Sequence, residues 1–166
     1  MKRSVKILAV VVVVLIVIQF FPPTKNVSEA ASAKNISAVY NTPAEVKTIL
    51  DKACNDCHSN NTVYPWYTNV QPVGWWMQHH VNEGKGELNF DSFAVYSPRR
   101  QHHKLEELEE MVEKSDMPLP SYTWIHKNAI LTEAEKQTLL NWSKGIRAEM
   151  QATYPADSLK LLPRKR

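Results

Sequence analysis

Glycine is scarce in this chain of 166 residues, four against ten prolines. No G-x-G-x-x-G and no G-x-x-x-x-G-K-[ST] occurs, so no local backbone cradle for a dinucleotide or nucleoside triphosphate is present. Cysteine is scarcer still, at two residues, which excludes a scaffold built on several disulfides. An excess of one charge is missing from most of the chain. The formal net charge of +3 comes from the first 33 residues, where Lys2, Arg3, Lys6 and Lys25 are set against Glu29 alone; residues 34–166 hold sixteen basic and sixteen acidic side chains. A neutral body offers no clustered cationic face, so no nucleic acid partner is expected. There is also no period-2 alternation of apolar and polar residues and no internal repeat. The expected fold is all-α, a single domain of three to four helices with long ordered loops.

A long hydrophobic run occurs once. Met1–Lys6 is basic, Ile7–Ile18 is twelve apolar residues without a break, and Pro22-Pro23 stops the pattern after Phe21. A basic start followed by such a run is an export signal, and it is short for a full membrane span. Ala31-Ser32-Ala33 resembles a cleavage site but lies farther from the run than such sites usually do, which favours an uncleaved N-terminal hydrophobic helix. Either way the rest of the chain is exported, and the expected location is periplasmic, anchored to the cytoplasmic membrane. Residues 1–23 are read as signal peptide or anchor, 24–41 as a polar linker, 42–150 as the domain and 151–166 as a frayed tail.

Within the domain, Thr42-Pro43-Ala44-Glu45 reads as a helix start with Thr42 as cap and Glu45 closing a capping box, followed by an inward stripe of Val46, Ile49, Leu50 and Ala53. A short helix is expected over Trp75–Asn82, ended near Gly84 and Gly86. Ser97-Pro98 opens another helix, with Leu105, Leu108, Met111 and Val112 inward and Glu106, Glu107, Glu109 and Glu110 on its wet side. Thr132-Glu133-Ala134-Glu135 is a second capping box, opening a helix with Leu139, Leu140, Trp142 and Ile146 inward.

The first of these helices runs into Cys54-Asn55-Asp56-Cys57-His58. C-x-x-C-H is the attachment pattern of a c-type haem. Two thiols three positions apart reach two vinyl groups of one porphyrin, and the adjacent imidazole meets the iron. One covalent haem c is the expected cofactor, with Cys54 and Cys57 as thioether sites and His58 as iron ligand. A redox dithiol wants a βαβ setting, a zinc site wants further ligands, and a plain disulfide needs nothing more; the helical context and the export signal favour haem. Met117, in Ser115-Asp116-Met117-Pro118, is the candidate ligand for the other face, with His80 as its rival. His79, His102 and His103 read as exposed, and His126 as a local packing residue. Tyr64, Trp66 and Tyr67, with Trp75 and Trp76, place five aromatics within thirteen residues, suited to excluding water from a porphyrin or bonding its propionates. The carbonyl of Pro72 is a candidate acceptor for the second nitrogen of His58.

Cys54–Asn60, Tyr64-Pro65-Trp66-Tyr67, His80–Gly84, Leu88-Asn89-Phe90 and Met117–Tyr122, taken in order, resemble the small bacterial haem-binding domain family over residues 40–148. The resemblance implies a cytochrome-c-like domain, with Cys54 and Cys57 attached to haem, His58 as proximal ligand and Met117 as the sixth. The expected function is that of a monohaem c-type cytochrome passing single electrons between redox partner proteins, not an enzyme. A peroxidase-like haem enzyme or a haem-based gas sensor with an open distal site is the alternative.

Overall fold

The computed structural model describes residues 2–28 and 32–160. Among these the chain is helical and contains no strand. The N-terminal helix α1 (Arg3–Val17) continues as one 3-10 turn, Ile18–Phe20, and buries none of its side chains. The window Arg3–Phe20 is long and apolar enough to cross a membrane. The Ala31 side of the expected cleavage site lies outside the described residues.

The domain is framed by α2 (Ile36–Val39), α3 (Ala44–Ala53), α4 (Asn55–His58), α5 (Val73–Glu87), α6 (Pro98–Glu113), α7 (Pro120–Thr123), α8 (Glu133–Thr153) and α9 (Ala156–Leu159). Helices α6 and α8 form its backbone. They are antiparallel, because partners on α8 fall from Gln151 to Lys144 as positions on α6 rise from His102 to Glu113. Leu105, Leu108 and Val112 of α6 pack against Leu139, Leu140, Ile146 and Met150 of α8, and Val46, Ile49 and Leu50 of α3 complete the core. The starts of the two long helices match their sequence signals. Ser97 caps α6 with Pro98 behind it, and Thr132 and Glu135 form a full capping box on α8.

Several expectations are corrected. Pro43, not Thr42, caps α3, and no capping box forms there. Thr42 instead donates its hydroxyl proton to the Tyr40 carbonyl, leaving Glu45 only its favourable place in the first turn. Glu109 is not on a wet face: it is buried between α6 and α8, where Ser143 donates to it at 2.9 Å and Arg147 at 2.7 Å. The tail is ordered as far as Lys160, and Leu159 is buried in the core; residues 161–166 lie outside the described residues. Nor is 24–41 a free linker. Asn26 donates to Ser59 and Thr62 and receives the Lys85 ammonium, Ile36 is 1% exposed, and Trp142 donates to the Asn41 carbonyl. A polar sequence can be strapped down when its amide side chains take up distant backbone groups.

Candidate haem site

The attachment motif is built by one sharp change of direction. Cys54 ends α3, its amide still bonded to the Leu50 carbonyl at 2.9 Å, but its φ of −127° takes the chain off the helix axis. One new turn, α4, follows at once. The amides of Cys57 and His58 both donate to the Cys54 carbonyl, at 3.1 and 3.0 Å. The two thiols are thus brought to one side of a turn and the imidazole sits directly after it, as a three-residue spacing in a helical turn requires.

Helix α5 crosses this turn at very short range. A Cβ on Gly84 would lie 2.8 Å from the Cys57 carbonyl oxygen and 3.0 Å from its Cβ. Gly84 and Gly86 therefore do not end the helix, which runs to Glu87; Gly84 is there so that two backbones can touch. The approach carries Leu88 over His58, whose Nδ1–H donates to the Leu88 carbonyl at 3.0 Å. That carbonyl takes the part expected of Pro72, whose own carbonyl instead accepts the Trp76 amide within α5. Fixing the proton on Nδ1 leaves Nε2 as the nitrogen with a free lone pair, the arrangement a metal-ligating histidine uses. Burial holds the His58 pKa below its ordinary value, opposed in part by the Leu88 and Gly84 carbonyls.

Cys54, Cys57, His58, His80 and Met117 line one cavity of about 610 Å³, mostly apolar in surface. That volume is within the range of small-molecule and cofactor sites. Phe90, Leu108, Met111, Val112, Leu119 and Leu139 supply much of the apolar lining. Lys104 adds a cation to the wall; burial opposes its charge, but bonds to Glu107 at 2.7 Å and Glu87 at 2.9 Å outweigh it and hold the ammonium above its ordinary pKa.

No disulfide joins Cys54 and Cys57. Burial, with the neighbouring Cys57 as a smaller cause, pushes Cys54 up to about 12; burial, then Asp56, pushes Cys57 up to about 11. These are neutral thiols facing an apolar space, the opposite of the low-pKa thiolate that a redox dithiol needs. Among the described residues no group of three or more His, Cys, Asp or Glu is placed to hold a bare metal ion. The donor set fits haem instead: two neutral thiols on one turn, an oriented imidazole and an apolar cavity beside them.

The aromatics are placed differently from the expectation. None of Tyr64, Trp66 and Tyr67 lines the cavity. Tyr64 accepts the Asn26 amide and donates to Gln78, each at 2.7 Å, so it ties the loop after the motif to its neighbours. Trp66 is 78% exposed, and the Tyr67 hydroxyl lies 3.2 Å from His126 Nε2. The aromatics that do line the cavity are Phe90 and Tyr122, and the Tyr122 hydroxyl donates to Asp56 at 2.6 Å, between the two cysteines. Burial first, and that bond second, raise the Tyr122 pKa. His79 pairs with Glu83 on the surface, and His126 stacks on Tyr122. Lys104 carried no local sequence signal for its position in the cavity wall.

The chain matches the family described as haem-binding domain over residues 13–145, most of its length. It belongs to that family, and it is a haem-binding protein. No curated protein and no solved structure matches it.

Proposed function

We propose that this is a monohaem c-type cytochrome, tethered at the outer face of the cytoplasmic membrane by α1, that passes single electrons between protein partners. The observation that carries the reading is the convergence of Cys54, Cys57, His58 and Met117 on one apolar cavity, although Met117 lies 59 positions beyond His58. Haem, when bound, supplies a one-electron couple at its iron. Cys54 and Cys57 would hold it through thioethers, His58 through Nε2, and Met117 through its thioether sulfur. Lys104 is the cation in the wall suited to a haem carboxylate. The apolar lining excludes water, which limits the reorganisation that electron transfer must drive.

Two features support a retained anchor. Gln19 donates to the Gln71 carbonyl at 3.0 Å and accepts the Gln71 amide at 2.9 Å, and Asn26 straps the chain to the loop after the motif. Cleavage after residue 33 would remove both sets of bonds.

Denaturing-gel haem staining and intact mass test the cofactor in a host that attaches haem to exported proteins. One covalent haem is expected, and none when Cys54 and Cys57 are both replaced by Ala. Colourless wild-type protein would overturn the reading.

His80 is the second reading for the sixth ligand. Its Nδ1–H donates to the Trp76 carbonyl at 2.9 Å, which frees Nε2. It belongs, however, to α5, the helix that lies on the attachment turn, whereas Met117 would reach the cavity from a separate loop. Met117→Ala is expected to open the iron to carbon monoxide and lower the potential, since Met/His ligation raises it relative to bis-His. His80→Ala is expected to leave the spectrum nearly unchanged. The reverse pattern assigns His80. Rapid carbon monoxide binding by the wild type would point to the enzyme or sensor alternative.

A further inference from the structure

The segment Val63–Gln78 contains no charged residue, yet much of it is surface. Trp66 is 78% exposed, and Val70, Val73 and Trp76 are each 40–47% exposed. In an exported water-soluble domain such a face demands a covering. Its place in the fold says what covers it. Gln71, between Val70 and Pro72, is clasped by Gln19 at the end of the apolar helix, and the Trp75 indole N–H donates to the Phe21 carbonyl at 2.7 Å. The apolar surface is therefore continuous with the point where α1 emerges, and Phe20 and Phe21 beside it are exposed. Lys25 lies four residues beyond Phe21, its ammonium bonded to Asn69 at 2.9 Å and over the Tyr64 ring. Tryptophan beside such a boundary is the composition of a membrane–water interface, where an amphipathic ring keeps one edge wet.

We propose that the domain lies against the bilayer through Trp66, Val70, Val73, Trp75 and Trp76, so that this face is immersed in the lipid headgroup and upper acyl region. The proposal rests on α1 being a retained anchor, and deepens that reading by fixing which side of the domain faces the lipid. A tether alone would let the domain turn freely. The Gln19–Gln71 clasp and the aromatic face together remove that freedom.

The test uses the full-length holoprotein in nanodiscs of phosphatidylethanolamine and phosphatidylglycerol carrying a photoactivated carbene precursor near the headgroup. Labelled peptides are mapped by mass spectrometry. Label is expected on the apolar helix and on Val63–Gln78, and the double variant Trp66→Ser/Trp76→Ser is expected to lose most of the second while keeping the first. Label confined to the helix overturns the docked face and leaves the anchor standing. A mature chain whose mass lacks the apolar helix removes the anchor, and the proposal with it. Cross-linking of Val63–Gln78 to a second copy in place of lipid also overturns it.

Discussion

Cys54, Cys57 and His58 lie within five consecutive residues whose turn is closed by main-chain hydrogen bonds, whereas the residues facing them come from separate elements, α6, the Met117 loop, α7 and α8, brought together by side-chain packing. The first wall needs only a helical turn and a close backbone contact. The second needs the whole α6–α8 frame in place and one long-range tie, Tyr122 to Asp56. Backbone-built geometry tolerates change in surrounding side chains but not added bulk at a contact; side-chain-built geometry loses its shape one bond at a time.

Substitutions can break that contrast. Gly84→Ala has the largest expected effect on stability, because its Cβ would meet backbone atoms of Cys57 that cannot rotate away. The gain of about 1 kcal/mol in helix propensity should be outweighed, giving a net loss of about 1–3 kcal/mol in chemical denaturation and a lower haem yield. Gly86→Ala is its control: open space surrounds that position, so unchanged or slightly raised stability is expected, and equal losses at the two sites would refute the contact argument. Tyr122→Phe is expected to cost about 1 kcal/mol and to perturb the optical signature of the Met117 side while leaving covalent attachment intact. If attachment fails as well, the two walls are not separable.

The smallest effect concerns the far end of the frame. Lys52 lies 2.5 Å from Glu135 and, as the largest cause, holds its carboxyl below the ordinary glutamate value. A carboxyl depressed on folding contributes stability above its unfolded pKa and loses it as the pH falls through the folded one. A modest destabilisation confined to acid below about pH 4.5 is expected, and Glu135→Gln should flatten it in a pH series of unfolding curves.

The same contrast explains what could be read from the sequence. The Cys54–His58 turn, the Ser97-Pro98 start and the Thr132–Glu135 box are local, and local chemistry determines them. The stripes of Leu105, Leu108 and Val112 and of Leu139, Leu140 and Ile146 were legible from helical periodicity. Gly84 was misread as a stop, since glycine looks the same whether it ends a helix or admits a neighbour. The acceptor for His58 lies 30 residues away at Leu88, and any backbone carbonyl can play that part, so no residue type marks it. Glu109 sits in a run of glutamates in which only the rotation of α6 against α8 distinguishes the buried one. Asn26 and Asn35 read as linker residues because side-chain amides reveal nothing of distant partners.

Helix α5 has a further consequence through its length. Its fifteen residues span up to about 22 Å, from Val73 beside the end of α1 to Glu87 in the cavity wall. If the Val73 end rests on lipid, the Glu83 and Glu87 edge lies at most that distance from the contact. A water-borne protein with a basic patch that meets this edge would then have to do so within that reach of the membrane.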